Sequence, residues 1–94
     1  MTPDVTQVEV QANFELLVTF ADGAHREFSM LPYLKYPAFS QLSDPGKFAL
    51  AHVANGTVQW TEDIDMSPDT LYLTGQPVTQ ETLASALQAQ AASK

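Results

Sequence analysis

Hydrophobic and polar residues alternate along the first part of the chain, between residues 8 and 20. The apolar positions are Val8, Val10, Ala12, Phe14, Leu16, Val18 and Phe20, and between them lie Glu9, Gln11, Glu15 and Thr19. A period of two is typical of β-strands that bury one face. Asn13 tolerates a positive φ angle, so we predict that it divides this run into two strands.

A third strand is predicted directly after this run. Asp22-Gly23 separates Phe20 from a short strand pattern that extends from Ala24 to Phe28. Asp-Gly between two strand-like runs is a strong hairpin signal, because both residues accept the positive φ angles of a tight turn. The first third of the chain therefore predicts a three-stranded antiparallel meander.

The middle of the chain, from Met30 to Pro45, has a different character. It contains Pro32, Pro37 and Pro45, with large apolar and aromatic residues between them. Proline lacks the backbone donor that a central strand needs, so we predict short helical turns here. The aromatic side chains of this segment must be buried on the sheet or on a partner.

The second half predicts a further hairpin. Asp44-Pro45 is a helix start, with Asp as the N-cap and Pro in the first turn. The residues from Phe48 to Val53 have a strand pattern, and Asn55-Gly56 predicts a turn that pairs it with Thr57 to Trp60. We thus expect a second hairpin at about residues 49–60.

Two helices are predicted after this hairpin. Ser67-Pro68-Asp69 begins a short helix, Pro68 to Leu73, which Gly75 ends. A C-terminal helix is predicted at about residues 79–92, with Leu83, Ala86 and Leu87 on one face. The predicted fold is a single α+β domain over residues 1–94: an antiparallel β-meander, a second β-hairpin, short helices and a C-terminal helix.

Charge limits the classes of partner. The chain has 94 residues, with 4 Lys+Arg against 11 Asp+Glu, and its formal net charge is −7. Nucleic-acid binding needs clustered cations, and anionic membranes attract basic segments. We therefore expect no direct contact with nucleic acid or membrane. The expected partner is a basic protein, or a second copy of the chain.

The sequence contains no cysteine, which excludes disulfides, thiolate zinc sites and cysteine nucleophiles. The start, Met1-Thr2-Pro3-Asp4, lacks the features of a signal peptide, and no apolar run approaches the ~20 residues of a membrane span. A cytoplasmic location is expected.

Several stretches resemble a known family in their order and spacing. They are Phe20-Ala21-Asp22-Gly23, the run Phe39-Ser40-Gln41-Leu42-Ser43-Asp44-Pro45-Gly46-Lys47-Phe48, and Val58-x-Trp60 followed by Asp65-Met66-Ser67-Pro68-Asp69-Thr70-Leu71-Tyr72. Together they are similar to a small, uncharacterised bacterial family, the domain of unknown function numbered 2442. The resemblance covers about residues 5–73.

This resemblance implies an α+β fold with antiparallel strands. Members of the family are often encoded beside another small uncharacterised domain, which implies a toxin–antitoxin or regulatory pairing. Some relatives carry a fused helix-turn-helix domain, but the residues after Tyr72 are too few for a three-helix DNA reader. The family has no established catalytic residues, so the resemblance transfers none.

Two groups of residues are candidates for metal binding or catalysis. Asp63, Asp65 and Asp69 have part of the spacing of a calcium loop, but Pro68 replaces the turn glycine and Thr74 the bidentate Glu. They form either a weak cation cluster or a polar loop with a helix cap. His25 and His52 lie on different predicted strands, and no catalytic frame accompanies them. We predict no catalytic residue, cofactor or metal.

The aromatic residues of the middle segment are the candidate partner contact. Tyr33, Tyr36 and Phe39 lie in a proline-flanked stretch whose composition is typical of a contact surface, although local packing also accounts for them. Trp60 is expected in the core. The predicted function is a non-enzymatic protein-interaction module, an antitoxin-like or regulatory partner of a small basic protein. The alternatives are a small ligand-binding domain, an enzyme with an unrecognised site, and an accessory of DNA-level regulation acting through its partner.

Overall fold

The computed structural model describes residues 2–78, which form two antiparallel β-sheets and two short α-helices. The first sheet has the order β1-β2-β3-β7, with β1 at Val5–Gln11, β2 at Glu15–Phe20, β3 at His25–Ser29 and β7 at Gln76–Pro77. The second has the order β4-β5-β6, with β4 at His52–Ala54, β5 at Thr57–Thr61 and β6 at Ile64–Met66. This confirms the α+β class and the meander; the helix predicted at 79–92 lies outside the described residues.

The two helices begin as the sequence predicts. Helix α1 is Pro45–Phe48, and the Asp44 carboxylate accepts the Gly46 N–H at 2.9 Å. Helix α2 is Pro68–Thr74, and the Ser67 hydroxyl accepts the Asp69 N–H at 3.2 Å before the helix ends at Gly75. Two 3-10 turns, Leu31–Tyr33 and Ser40–Ser43, complete the helical structure of this region, and a tight turn at Ala12–Phe14 connects β1 to β2. Within residues 2–78, no helix has the length and apolar character needed to cross a membrane.

The turn between β1 and β2 differs from the prediction at one residue. Asn13 takes φ 61° as expected, but Phe14 also has a positive φ, 60°, and lies in the turn rather than on the inward face of a strand. Its ring packs edge-on against Phe48, with centroids 5.2 Å apart, and its carbonyl accepts the Met30 N–H at 2.9 Å. These contacts hold a backbone conformation that costs about 1–3 kcal/mol in a residue other than glycine.

The Asn55-Gly56 turn joins the two sheets. Asn55 and Gly56 have φ angles of 53° and 76°, the pair of positive values that a two-residue hairpin turn requires. The Gly56 carbonyl accepts the Val5 N–H at 2.9 Å, and a Cβ atom at Gly56 would lie only 2.8 Å from Asp4 Cγ. Glycine therefore lets the second hairpin close against the beginning of β1.

The core lies between the inward faces of both sheets and the helices. It is formed by Val5, Leu16, Val18, Phe20, Phe28, Met30, Leu42, Phe48, Val58, Trp60, Ile64, Met66 and Leu71. Trp60 is buried as predicted, and its indole N–H donates to the Phe48 carbonyl at 3.0 Å. This bond ties the end of α1 to the middle of β5.

Three strand assignments differ from the sequence prediction. The strand predicted from Phe48 to Val53 begins only at His52, because turn hydrogen bonds from Leu50 N–H to Lys47 and from Ala51 N–H to Phe48 carry the helical path past α1. Strand β6 was not predicted, since it has only three residues beside an acidic turn. Strand β7 was also missed; it is two residues long and includes a proline at the sheet edge.

Candidate functional site

Four successive turns build an arch from residues 30 to 42. The N–H groups of Tyr33, Tyr36, Phe39 and Leu42 each donate to the carbonyl three residues earlier, at 2.9 to 3.1 Å. Pro32 lies in the first of these turns, where its missing N–H is not needed. The backbone of the arch is thus hydrogen-bonded along its length without belonging to either sheet.

The exposure of the side chains differs between the ends and the middle of the arch. Met30 and Leu42, at the two ends of the arch, are fully buried in the core. Tyr33 and Phe39 are half-buried, and Tyr36 at the middle is 49% exposed. The arch is therefore anchored at both ends and presents its aromatic side chains between them.

The three predicted contact residues come together in the structure. The Tyr33 ring lies 6.3 Å from both the Tyr36 and the Phe39 ring centroids, and it stacks on Phe28 of β3 at 5.4 Å. Leu31 begins the first turn of the same arch, two residues before Tyr33, and its side chain is 53% exposed. We call Leu31, Tyr33, Tyr36 and Phe39 the aromatic patch. Large apolar groups at this exposure are typical of the centre of a protein interface.

Two features border the aromatic patch. The ammonium group of Lys35 lies 5.5 Å from the Tyr36 ring centroid, within range of a cation–π interaction. A shallow pocket of about 230 Å³ opens beside Tyr33, lined by Glu27 and Phe28 of β3, Pro32, Thr74 and Gln76. The patch thus continues into a depression that can take a side chain of a partner.

A polar cluster that the sequence did not predict links the first hairpin to α2. The Tyr72 hydroxyl donates to Asp22 at 2.8 Å, and the Arg26 guanidinium lies 4.5 Å from the Tyr72 ring centroid. Arg26 Nε also donates to the Tyr72 carbonyl at 3.0 Å. The partners are 50 and 46 residues apart in sequence, so no local pattern reveals the cluster.

Hydrogen bonding shifts the pKa values of two groups in this cluster, Asp22 and Tyr72. The Ala24 N–H and then the Tyr72 hydroxyl lower the pKa of Asp22 below its ordinary value of 3.8. Its carboxylate in turn raises the pKa of Tyr72 above 10.0. The hydrogen bond between Tyr72 and Asp22 attaches the turn at Asp22 to α2. The guanidinium group of Arg26 is engaged by contacts with Tyr72 within the fold.

The three aspartates of the proposed cation cluster lie on different elements. Asp63 is in the turn after β5, Asp65 is at the middle of β6 opposite Gln59, and Asp69 is in the first turn of α2. Across the described range 2–78, no three histidine or acidic side chains are grouped so that they could hold a metal ion. The choice between a weak cation cluster and a polar loop with a helix cap stays a prediction.

The two histidines lie on different strands and have different hydrogen-bond partners. His25 on β3 has Nδ1 3.0 Å from the Thr19 hydroxyl, and exposed His52 on β4 has Nδ1 2.8 Å from the Leu50 carbonyl oxygen. His52 borders an open groove of about 420 Å³ between the outer edges of β1 and β4. Gln7, Val8, Glu9 and Val53 also line this groove, which is open and shallow and mixes polar with apolar side chains.

A solved structure provides a neighbour for the fold. It is the crystal structure of "Putative DNA Binding Protein NE0471" from Nitrosomonas europaea ATCC 19718, 32% identical, with a TM-score of 0.66. The similarity covers 74% of this chain but 46% of the neighbour, so this chain spans less than half of that protein. No curated protein matches the chain at a significant level.

The neighbour corrects one expectation about partners. From the net charge we excluded direct contact with nucleic acid, and a similar structure that bears the name of a DNA-binding protein contradicts that exclusion. The physical reason is that net charge sums over all residues of a domain. It does not describe a local contact, nor the rest of a longer protein that contains the domain.

The family is shown by the sequence itself. A family model described as "Protein of unknown function (DUF2442)" matches residues 5–76, from the first residue of β1 to the first residue of β7. The match includes the arch, both hairpins and α2. The chain therefore belongs to the DUF2442 family.

Proposed function

We propose that this chain is a non-enzymatic, cytoplasmic protein-interaction module that binds a basic protein partner through the aromatic patch. The observation that carries the proposal is the pair of exposed side chains, Leu31 and Tyr36, on a hydrogen-bonded arch. A preorganised apolar contact loses little conformational entropy on binding, which favours affinity. The antitoxin-like or regulatory role implied by the family resemblance requires such a docking surface.

The charge of the chain defines the chemistry of the partner. With 11 acidic and 4 basic residues, the surface attracts a protein of opposite sign. Glu27 lines the pocket beside Tyr33, so a carboxylate adjoins the apolar patch. A basic side chain that enters this pocket would pair with Glu27 while its neighbours pack on Tyr36.

The neighbour from Nitrosomonas europaea links the proposal to DNA. This chain corresponds to 46% of that protein, so a regulatory system in which the module binds a protein and another part binds DNA is consistent with the match. Direct DNA contact by the module is the second candidate, favoured by the neighbour's name. Fluorescence anisotropy of a labelled DNA duplex at low and at physiological salt tests it: salt-dependent binding by the isolated chain supports DNA contact.

The partner-binding proposal is tested with the product of the adjacent gene, since the family resemblance implies a pairing with an adjacent small domain. The two proteins are co-expressed, and the tagged chain is purified with Leu31→Ser and Tyr36→Ser in combination. We expect a stoichiometric basic partner on the unmodified chain and its loss from the variant.

The matched control is Leu73→Ser, because Leu73 is 75% exposed but lies on α2, outside the aromatic patch. It should retain the partner. Equal retention by both variants, or an unmodified chain that purifies alone, contradicts the proposal.

A further inference from the structure

The pocket at the border of the aromatic patch lies where the pairing between β3 and β7 stops. Glu27 of β3 pairs with Gln76, the first residue of β7, and the Val78 N–H donates to the His25 carbonyl at 3.2 Å. Alternate residues of a strand direct their backbone groups to the same side, so Ser29 directs its carbonyl past the end of β7. Ser29 also lines the pocket, which therefore adjoins a backbone acceptor at the sheet edge.

The polar side chains that line this pocket can all accept a hydrogen bond. The ionised Glu27 carboxylate is an acceptor only, and the Gln76 amide carries a carbonyl oxygen. The Thr74 hydroxyl donates to the Thr70 carbonyl, so its oxygen has only acceptor capacity left for the pocket. Within the described residues, no Lys, Arg or His lines the pocket. The lining is thus complementary to a group that carries several donors and a positive charge.

The Glu27 carboxylate is not paired within the fold. Its side chain is half-buried, and across residues 2–78 no side chain forms an ion pair or a hydrogen bond with it. The neighbouring cation, Arg26, donates instead to the carbonyls of Tyr72 and His25, each at 3.0 Å. Successive side chains of a strand point to opposite faces, which keeps Arg26 away from the Glu27 carboxylate. The pocket therefore holds a negative charge that the described residues do not neutralise.

We infer that this pocket binds an arginine side chain of the partner and selects it over lysine. The inference rests on the proposed function, in which a basic protein docks on the adjoining aromatic patch. The pocket volume of about 230 Å³ is below the ~300–1,000 Å³ typical of small-molecule sites, so it suits a single side chain. A guanidinium group presents five donors in one plane, whereas an ammonium group presents three at a point. Acceptors on several sides of a pocket therefore favour arginine.

The apolar walls of the pocket suit the rest of an arginine side chain. Phe28, Pro32 and Tyr33 line it beside the polar groups. The methylene groups of arginine pack on apolar surface, and its guanidinium group is attracted to an aromatic ring within about 6 Å. The Tyr33 ring is held by stacking on Phe28, with centroids 5.4 Å apart. The wall is thus in place before the side chain arrives, which favours binding.

Two blocked tripeptides test this inference without the partner. One carries arginine between two glycines, and the other carries lysine at the same position. Each is titrated into the full chain labelled with nitrogen-15, and the amide signals of Glu27, Ser29 and Tyr33 are followed by NMR. We expect these signals to shift with the arginine peptide, and its affinity to exceed that of the lysine peptide by about fivefold or more.

Variants of the chain identify the groups that hold the arginine. Glu27→Gln should weaken the arginine peptide by about fivefold or more, because it removes the charge and keeps the shape. Thr74→Val removes a second acceptor and should weaken it in the same direction, so the test does not depend on one variant. The matched control is Glu9→Gln on β1, an exposed carboxylate that does not line the pocket, which should leave the affinity within about twofold.

Three results would overturn the inference. They are equal affinity for the arginine and lysine peptides, an arginine affinity that neither Glu27→Gln nor Thr74→Val changes, and the absence of shifts at the residues lining the pocket. None of them affects the co-purification that depends on Leu31 and Tyr36. A failure of the arginine pocket is therefore distinguishable from a failure of the proposed function.

Discussion

At the scale of single residues, Tyr72 and Asp22 form the link between the first hairpin and α2 that responds to pH. A carboxylate whose folded pKa is depressed stabilises the fold above its unfolded pKa, and the contribution is lost as the pH falls through the folded pKa. Tyr72 has a raised pKa, so its contribution is present below the unfolded pKa and is lost as the pH rises through the folded one.

The substitution Tyr72→Phe separates the two main causes of the lowered Asp22 pKa, which are the hydrogen bonds from the Ala24 N–H and from the Tyr72 hydroxyl. We expect the pKa of Asp22 to rise but to stay below 3.8, because the Ala24 N–H, the larger cause, is retained. Carbon-13 NMR titration of the Asp22 carboxyl measures this directly. An Asp22 pKa that is identical in both proteins would show that the hydroxyl contact at 2.8 Å does not persist in solution.

Gly75 is required for space rather than for a special backbone conformation. Its φ is −68°, which any residue adopts, but a Cβ atom would lie 2.5 Å from the Leu71 carbonyl oxygen and 2.9 Å from Arg26 Cβ. We expect Gly75→Ala to lower the free energy of unfolding by about 1–3 kcal/mol. Urea denaturation followed by Trp60 fluorescence measures the change.

The control for this variant is Gly46→Ala in α1. There the nearest atom to the added methyl group is Asp44 Oδ1 at 3.4 Å, an ordinary contact. Stability should be unchanged or rise by up to ~1 kcal/mol. Similar losses in both variants would refute the close packing of α2 on β3.

At the scale of elements, Trp60 fastens α1 to the second sheet. Replacing it by Phe truncates a buried side chain and removes the indole donor to the Phe48 carbonyl, which then keeps only the longer hydrogen bond from the Ala51 N–H. We expect Trp60→Phe to reduce the free energy of unfolding by about 1–3 kcal/mol. Thermal unfolding followed by circular dichroism is the measurement, and a loss below ~0.5 kcal/mol would contradict this role.

The elements differ in how far sequence predicts them. Hairpins that depend on Asp22-Gly23 and Asn55-Gly56 were predictable, because two adjacent residues determine the turn. The caps Asp44 and Ser67 were predictable for the same local reason. Strand β7 was not, since its two residues are ordered by pairing with β3, some 50 positions earlier in the chain.

The candidate site was predictable in composition but not in geometry. The proline-flanked stretch around Tyr33, Tyr36 and Phe39 indicated a contact surface. The turns that repeat every three residues, and the burial of Met30 and Leu42 that anchors them, depend on packing against the whole core. The link between Asp22 and Tyr72 crosses 50 residues and had no sequence signal.

At the scale of the whole molecule, the net charge of −7 predicts how the partner associates. Attraction between exposed charges accelerates encounter and is screened by salt over a Debye length of about 10 Å at 0.1 M. We expect the association rate with the basic partner to fall by about tenfold or more from 0.02 to 0.3 M salt, while dissociation changes less. Stopped-flow fluorescence measures both rates, and a salt-independent association rate would contradict the electrostatic part of the proposal.

The most direct test of the account is the affinity of the purified partner for three forms of the chain, measured by isothermal titration calorimetry. If the aromatic patch is the docking surface, Tyr36→Ser should weaken binding by about 30-fold, or ~2 kcal/mol, because exposed aromatic anchors dominate interfaces. Leu73→Ser should bind like the unmodified chain, and both variants should keep their stability within ~0.5 kcal/mol. Equal affinity of all three forms would contradict the account and place the partner surface elsewhere on the molecule.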